Sequence, residues 1–231
     1  MPEQGQVTLD WLARTGAAGP ALELGCGKCA LASVAPEYVG LDLAFVPLAS
    51  ARDGVRRLSG DMERLPFRDG SIGFLFTWAA LEHVPHPELV IAEIERVLRS
   101  GGVALLAPAW HCRTWAAEGL EFRPYDALMA TQKFRKALIP LRNAVWWRAL
   151  FELPHRVWRE SVARLRTPRF EYGRLEPNLD EYVGTDCDAF TSMDPQMASL
   201  YFAARGWDVL SHPTFSRRML ARHEPVVVRK P

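Results

Sequence analysis

At 231 residues the chain is long enough for one domain with a full hydrophobic core and an elaboration. Its 48% hydrophobic and 24% charged residues are those of an ordinary globular protein, and a formal net charge of +1 gives the whole molecule no pull toward nucleic acid. No apolar run reaches the about 18 residues of a membrane span, no N-terminal stretch reads as a signal peptide, and four cysteines suit a reducing compartment, so a cytoplasmic protein is expected.

In chain order, Val7 to Arg14 reads as a short helix and Ala21 to Leu24 as an apolar strand entering a glycine turn. A helical turn at Leu31 to Ala35 precedes a second strand, Tyr38 to Leu43, with an acid, Asp42, at its end. Val55 to Ser59 and Ile72 to Phe76 are the third and fourth strands. Pro87 to Arg99 is an amphipathic helix, with Leu89, Val90, Ile94, Val97 and Leu98 expected on one face. Ser100-Gly101-Gly102 ends it, and Val103 to Ala107 is the fifth strand. After a break the rhythm resumes: Asp194-Pro195 caps a helix reaching Arg205-Gly206, then Trp207 to Leu210 and Pro225 to Val228 are strands. Alternating strands and helices call for an α/β fold, a seven-stranded, mostly parallel sheet with helices on both faces. The whole of 1–231 reads as one domain, with 110–190 a largely helical insertion or cap over the substrate.

In such a sheet ligands bind beyond the carboxyl ends of the strands. Gly25-Cys26-Gly27 lies at the end of the first strand, where glycines let the backbone turn tightly and approach a ligand. Alone, that pattern is weak. Asp42, 15 residues after Gly27, stands where a carboxylate can accept hydrogen bonds from ribose hydroxyls. Asp61 follows the third strand and can accept from an adenine amino group, with Met62 beside the ring. Cys26 and Cys29 form a CxxC, but Cys112 and Cys187 are isolated, so no metal ligand set is assigned.

The ordered series ELGCGKC, VGLDLA, GDMERLPFRDGSIGFLF, LEHV and VLRSGG, over about residues 19–108, resembles class I methyltransferases of the quinone-, sterol- and small-molecule-modifying type. The resemblance implies S-adenosylmethionine as cofactor. It implies Glu23, Gly25 and Gly27 near its methionine and ribose, Asp42 on the ribose, and Asp61 and Met62 at adenine. Trp78, expected just past the fourth strand, would stand near the methionine end or the acceptor. Where the family often has a third glycine, this chain has Cys29. His83, in the loop after the fourth strand, is the candidate proton acceptor, with a structural role as its alternative; His86 and His111 are weaker candidates.

Residues 131–170 carry ten Lys or Arg and two acids, a net of +8 in a chain of +1, which leaves −7 elsewhere. Trp146, Trp147, Leu150, Phe151 and Trp158 are interleaved with these charges. Such a segment suits an anionic membrane surface, an anionic soluble acceptor, or a lid or dimer contact, and all three stay open. The stretch from Leu175 to Pro195 resembles methyltransferases of bacterial glycan assembly, which tilts the expected acceptor toward a small-molecule, lipid-linked or glycan-linked hydroxyl compound. Asp186 and Asp188 would then meet acceptor hydroxyls or cap a turn. A quinone-type aromatic C-methyltransferase and a non-catalytic, membrane-associated cofactor-binding scaffold are the alternatives. No Asn-Pro-Pro-Tyr-like tetrapeptide follows the fourth strand, so nucleic acid is not an expected partner.

Overall fold

The computed structural model describes residues 3–231. The first half runs α1 (Glu3–Thr15), β1 (Ala21–Leu24), β2 (Tyr38–Asp42), α2 (Phe45–Ala49), β3 (Arg57–Ser59), β4 (Ile72–Trp78), α3 (Pro87–Val97) and β5 (Leu98–Ala107). The insertion is helical at its centre, through α4 (Ala130–Asn143), α5 (Val145–Trp147), a π-helical turn at Arg148–Glu152 and α6 (Leu153–Ala163). On either side of that stretch it is mostly irregular, with a small hairpin of β6 (Gly173–Arg174) and β7 (Thr191–Ser192). The C-terminal part adds α7 (Pro195–Ala203), β8 (Asp208–Val209), α8 (Phe215–Leu220) and β9 (Val226–Arg229).

Seven strands form one sheet in the order β3-β2-β1-β4-β5-β9-β8. β1 through β5 pair in parallel, and β9 lies antiparallel between β5 and β8. The strand order reverses between β1 and β4, which makes the carboxyl ends of these two strands the place for a ligand.

Successive strand residues point to opposite faces, and the core divides accordingly. Leu22, Leu24, Leu75, Ala104 and Leu106 meet Val90, Ile91, Ile94 and Val97 of α3 and Phe202 of α7. Ala21, Phe74, Phe76, Val103 and Leu105 face the other way, where Leu9, Trp11 and Leu12 of α1 pack. The central strands are buried on both faces, which is why they read as nearly continuous apolar runs.

Two expectations about α3 are corrected. Ile91 belongs to its buried face and Leu89 is exposed, because positions 90, 91, 94 and 97 make the helical stripe. The helix ends at Val97 rather than Arg99, because Leu98 already pairs with Ile72 as the first residue of β5. At the start of α7, Asp194 accepts a hydrogen bond from Gln196 N–H, as its position before Pro195 leads one to expect. Among the described residues no helix is long and apolar enough to cross a membrane.

Candidate active site

The glycine turn is shaped by contacts to two neighbouring strands. Gly25 N–H and Cys26 N–H both donate to Leu41 O of β2, at 2.8 and 3.2 Å. Gly25 has φ +69°, and a Cβ there would overlap Ala80 Cβ in the loop after β4. No L side chain fits this close approach at this backbone angle.

Asp42 ties the turn to the end of β2. One carboxylate oxygen accepts from Gly27 N–H at 2.7 Å and the other from Ala44 N–H at 2.8 Å. A carboxylate offers about four acceptor positions, so these bonds leave capacity for two more. Beyond β3, Asp61 Oδ1 accepts from Glu63 N–H at 2.8 Å. The loop that follows is anchored by α3. Arg96 donates to Leu65 O, Phe67 O and Asp69, while Glu93 accepts from Leu65 N–H.

These elements enclose a cavity of about 470 Å³ whose lining includes Gly25, Asp42, Asp61, Met62, His83 and His86. Its volume falls within the roughly 300–1,000 Å³ of small-molecule sites. Leu43, Glu63, Ala79, Ala80, Val84 and Pro85 complete the wall. Ala79, Ala80 and Pro85 carry no chemical signature of their own, while Leu43, Glu63 and Val84 lie inside the VGLDLA, GDMERLPF and LEHV stretches without a role expected for them.

Three expected cofactor residues do not line this cavity. Gly27 reaches it only through its bond to Asp42. Glu23 lies beneath the turn, 5% exposed, and accepts a hydrogen bond from Tyr38 OH. Burial pushes its carboxyl up to about 7; the Tyr38 bond opposes that rise and the nearby Asp42 charge adds to it. Trp78 is the last residue of β4 rather than a residue beyond it. Sharing parity with Phe74 and Phe76, it turns toward α1, where its indole N–H donates to Thr8 Oγ1 at 3.0 Å.

Cys29, where the family often has glycine, adopts φ +53°. Its thiol lies 3.5 Å from that of Cys26. Gly40 of β2 makes room for the pair, since a Cβ there would stand 2.7 and 2.8 Å from the two sulfurs. Burial pushes the Cys26 thiol well up, so it stays protonated.

His83 stands at the cavity wall between acids from two parts of the chain. Its Nε2 is 3.7 Å from Glu82 Oε1, and its Nδ1 is 3.4 Å from Asp188 Oδ2. Glu82 is fully buried, neither carboxylate oxygen has a hydrogen-bond partner among the described residues, and burial raises its pKa. Asp186, at φ +59°, is also raised by burial; His83 opposes that rise and Asp188 adds to it. The far limb of the insertion is held here by Phe190 N–H, which donates to Glu82 O at 2.8 Å. His86 sits at the rim, its N–H on Glu63 Oε1. His111 lines a separate small cleft with Cys112 and Trp115, and burial lowers its pKa to about 4.

Residues 22–106, from β1 to β5, match the family described as a methyltransferase domain. This part of the chain is a class I S-adenosylmethionine-dependent methyltransferase domain, and S-adenosylmethionine is the cofactor of that domain. A probable S-adenosylmethionine-dependent methyltransferase of Mycolicibacterium smegmatis is 31% identical over 109 residues, 44% of this chain and 42% of that protein. A phthiotriol/phenolphthiotriol dimycocerosates methyltransferase of Mycobacterium ulcerans is 35% identical over 111 residues, 42% of this chain and 41% of that protein. The chain thus spans about two fifths of the length of the curated relatives it matches. Among solved structures, an amino pentose methyltransferase from Micromonospora echinaspora aligns with 26% identity and a TM-score of 0.42, over 47% of this chain and 51% of that one.

Proposed function

We propose that the protein transfers a methyl group from S-adenosylmethionine to a hydroxyl of a small-molecule, lipid-linked or glycan-linked acceptor. The observation that carries this reading is the convergence of Gly25, Asp42, Asp61, Met62 and His83 on one cavity at the reversal of strand order. The residues present fit the cofactor. Gly25 offers backbone where a Cβ would not fit, and Asp42 and Asp61 hold unused acceptor capacity.

In this reading Asp42 takes the ribose hydroxyls, Asp61 the adenine amino group, and Met62 packs beside the ring. Glu23 and Gly27 hold the turn from beneath, and Trp78 braces α1 near the methionine end. The cofactor supplies a methyl group already activated on a sulfonium, so the chain's own work is alignment and proton removal. His83 takes the acceptor proton, with Asp188 Oδ2 3.4 Å from its Nδ1. The name of the Mycobacterium ulcerans relative supports a lipid-linked acceptor.

Calorimetry with S-adenosylmethionine, followed by transfer of labelled methyl groups to panels of sugars, glycolipids and quinols, tests the reading. We expect cofactor binding and labelling of a hydroxyl compound, with His83→Ala slowing transfer but leaving cofactor affinity intact. Absence of binding at millimolar cofactor rejects the enzyme. Label on a ring carbon of a quinol rejects the hydroxyl acceptor. Transfer at the parent rate in His83→Ala rejects the proton-acceptor role.

A further inference from the structure

An amphipathic helix at a protein surface ordinarily buries its apolar side and shows its charges to water. The stretch from α5 through α6 is reversed. On α6, Arg156 and Glu160, one turn apart, are both buried, while Leu153, Val157 and Trp158 are exposed.

The inward charges are matched by the C-terminal half of the chain. Arg156 donates to Met219 O and Ala221 O at 2.8 and 2.7 Å and to both oxygens of Asp194. Arg159 also reaches Asp194, at 3.1 Å. Glu160 accepts from Arg218, and Glu152 from Arg222 at 2.7 Å. These are the only two acids of residues 131–170, and both are taken by arginines from outside that segment.

The outer face is therefore apolar and cationic. Val145, Trp146, Leu150 and Phe151 continue it from α6, with Trp146 54% and Leu150 61% exposed. Arg142 just before it, and Arg164 and Arg166 just after it, are exposed and in no ion pair among the described residues. A cluster of large exposed apolar side chains marks a contact surface.

We propose that this face docks the protein onto an anionic lipid bilayer, with the tryptophans and Leu150 entering the headgroup boundary and the flanking arginines meeting lipid phosphates. Tryptophan and arginine have the amphipathic shape and charge for that boundary. A second copy of the chain is the poorer occupant. A two-fold contact would set the same patch against itself, cationic rim to cationic rim, while both acids of residues 131–170 are already held by Arg218 and Arg222. Docking stands independently of which acceptor is methylated.

Flotation of the full-length protein with vesicles tests it, using phosphatidylcholine alone and phosphatidylcholine mixed with phosphatidylglycerol. The protein should float with the anionic vesicles, not the neutral ones, and lose binding as salt rises. Trp146→Glu with Trp158→Glu, and separately Arg164→Gln with Arg166→Gln, should each weaken partitioning about tenfold or more. Circular dichroism and cofactor calorimetry on the same preparations show whether a variant has folded. The wild-type comparison of vesicles is decisive without any variant. Equal recovery with both vesicles, recovery with neither, or unchanged binding in folded variants overturns the proposal. So does a dimer in light scattering that Trp158→Glu dissociates, which would assign the face to a second copy.

Discussion

Asp42 and Gly27, 15 residues apart, are joined by a 2.7 Å hydrogen bond from the glycine N–H to Oδ2. The bond couples the end of β2 to the turn after β1, so one carboxylate both shapes the turn and faces the cavity. Asp42→Ala removes this bond, the Ala44 bond and the proposed ribose contacts together. Hydrogen bonds to a charged group contribute about 1.5–3 kcal/mol each, so cofactor affinity should fall by about a hundredfold or more. Calorimetry reads this directly, and undiminished affinity would remove Asp42 from the site.

Gly25→Ala should be more damaging than a methyl group suggests. The new Cβ meets Ala80 Cβ, which lies on backbone rather than at the end of a flexible side chain, and φ is +69°. Left-handed backbone costs an L residue about 1–2 kcal/mol, and overpacking adds about 1–3. Urea unfolding should show a loss of several kcal/mol together with weak cofactor binding. Gly54, also at positive φ (+80°) but with nothing within 4 Å of an added Cβ, is the control. Gly54→Ala should show the backbone cost alone.

The strands of the sheet, the glycine turn and the Asp194 cap are legible in the sequence, because each rests on a local pattern of apolar runs, turn residues or capping, and Asp42 and Asp61 are legible from their places at the end of the second strand and after the third. What stayed hidden depends on partners far along the chain. The inward face of α6 is set by Asp194, Arg218, Arg222 and the carbonyls of Met219 and Ala221. Composition marked the stretch as basic and tryptophan-bearing but could not say which side of its helix faces in. Trp78 misled for a related reason. One extra pair of strand residues gives it the parity of Phe76, so it meets Thr8 of α1, 70 residues earlier. The burial of Glu23 follows from the same alternation, and its partner Tyr38 had no signal near it.

Glu23 also makes stability depend on pH. Burial holds its carboxyl at about 7 instead of the usual 4.5. The folded state therefore keeps a proton that the unfolded chain releases. The stabilisation is complete below pH 4.5 and is lost as pH rises through about 7. The gap corresponds to ~3 kcal/mol. Glu23→Gln keeps an acceptor for Tyr38 OH but has no proton to lose. Its stability relative to the parent should match near pH 4.5 and exceed it by ~3 kcal/mol at about pH 8. Parallel unfolding curves across this range would show that Glu23 does not carry the effect.

Arg156 tests how firmly α6 is fastened. It is 4% exposed, and its guanidinium spans two carbonyls and the Asp194 carboxylate, which itself caps α7. Removing one partner of a buried pair costs about 3–5 kcal/mol, because the groups left behind are desolvated and unmatched. Arg159 remains on Asp194 and softens the loss, so Arg156→Ala should cost about 3 kcal/mol in chemical denaturation. Arg156→Lys should recover only part of it, since an ammonium cannot reproduce the planar fork. Arg159→Ala, at a more exposed position with one contact, should cost about 1 kcal/mol or less. If Arg156→Ala is as mild as Arg159→Ala, the buried ion pairs do not hold the helix, and its outward apolar face is then a matter of local packing alone.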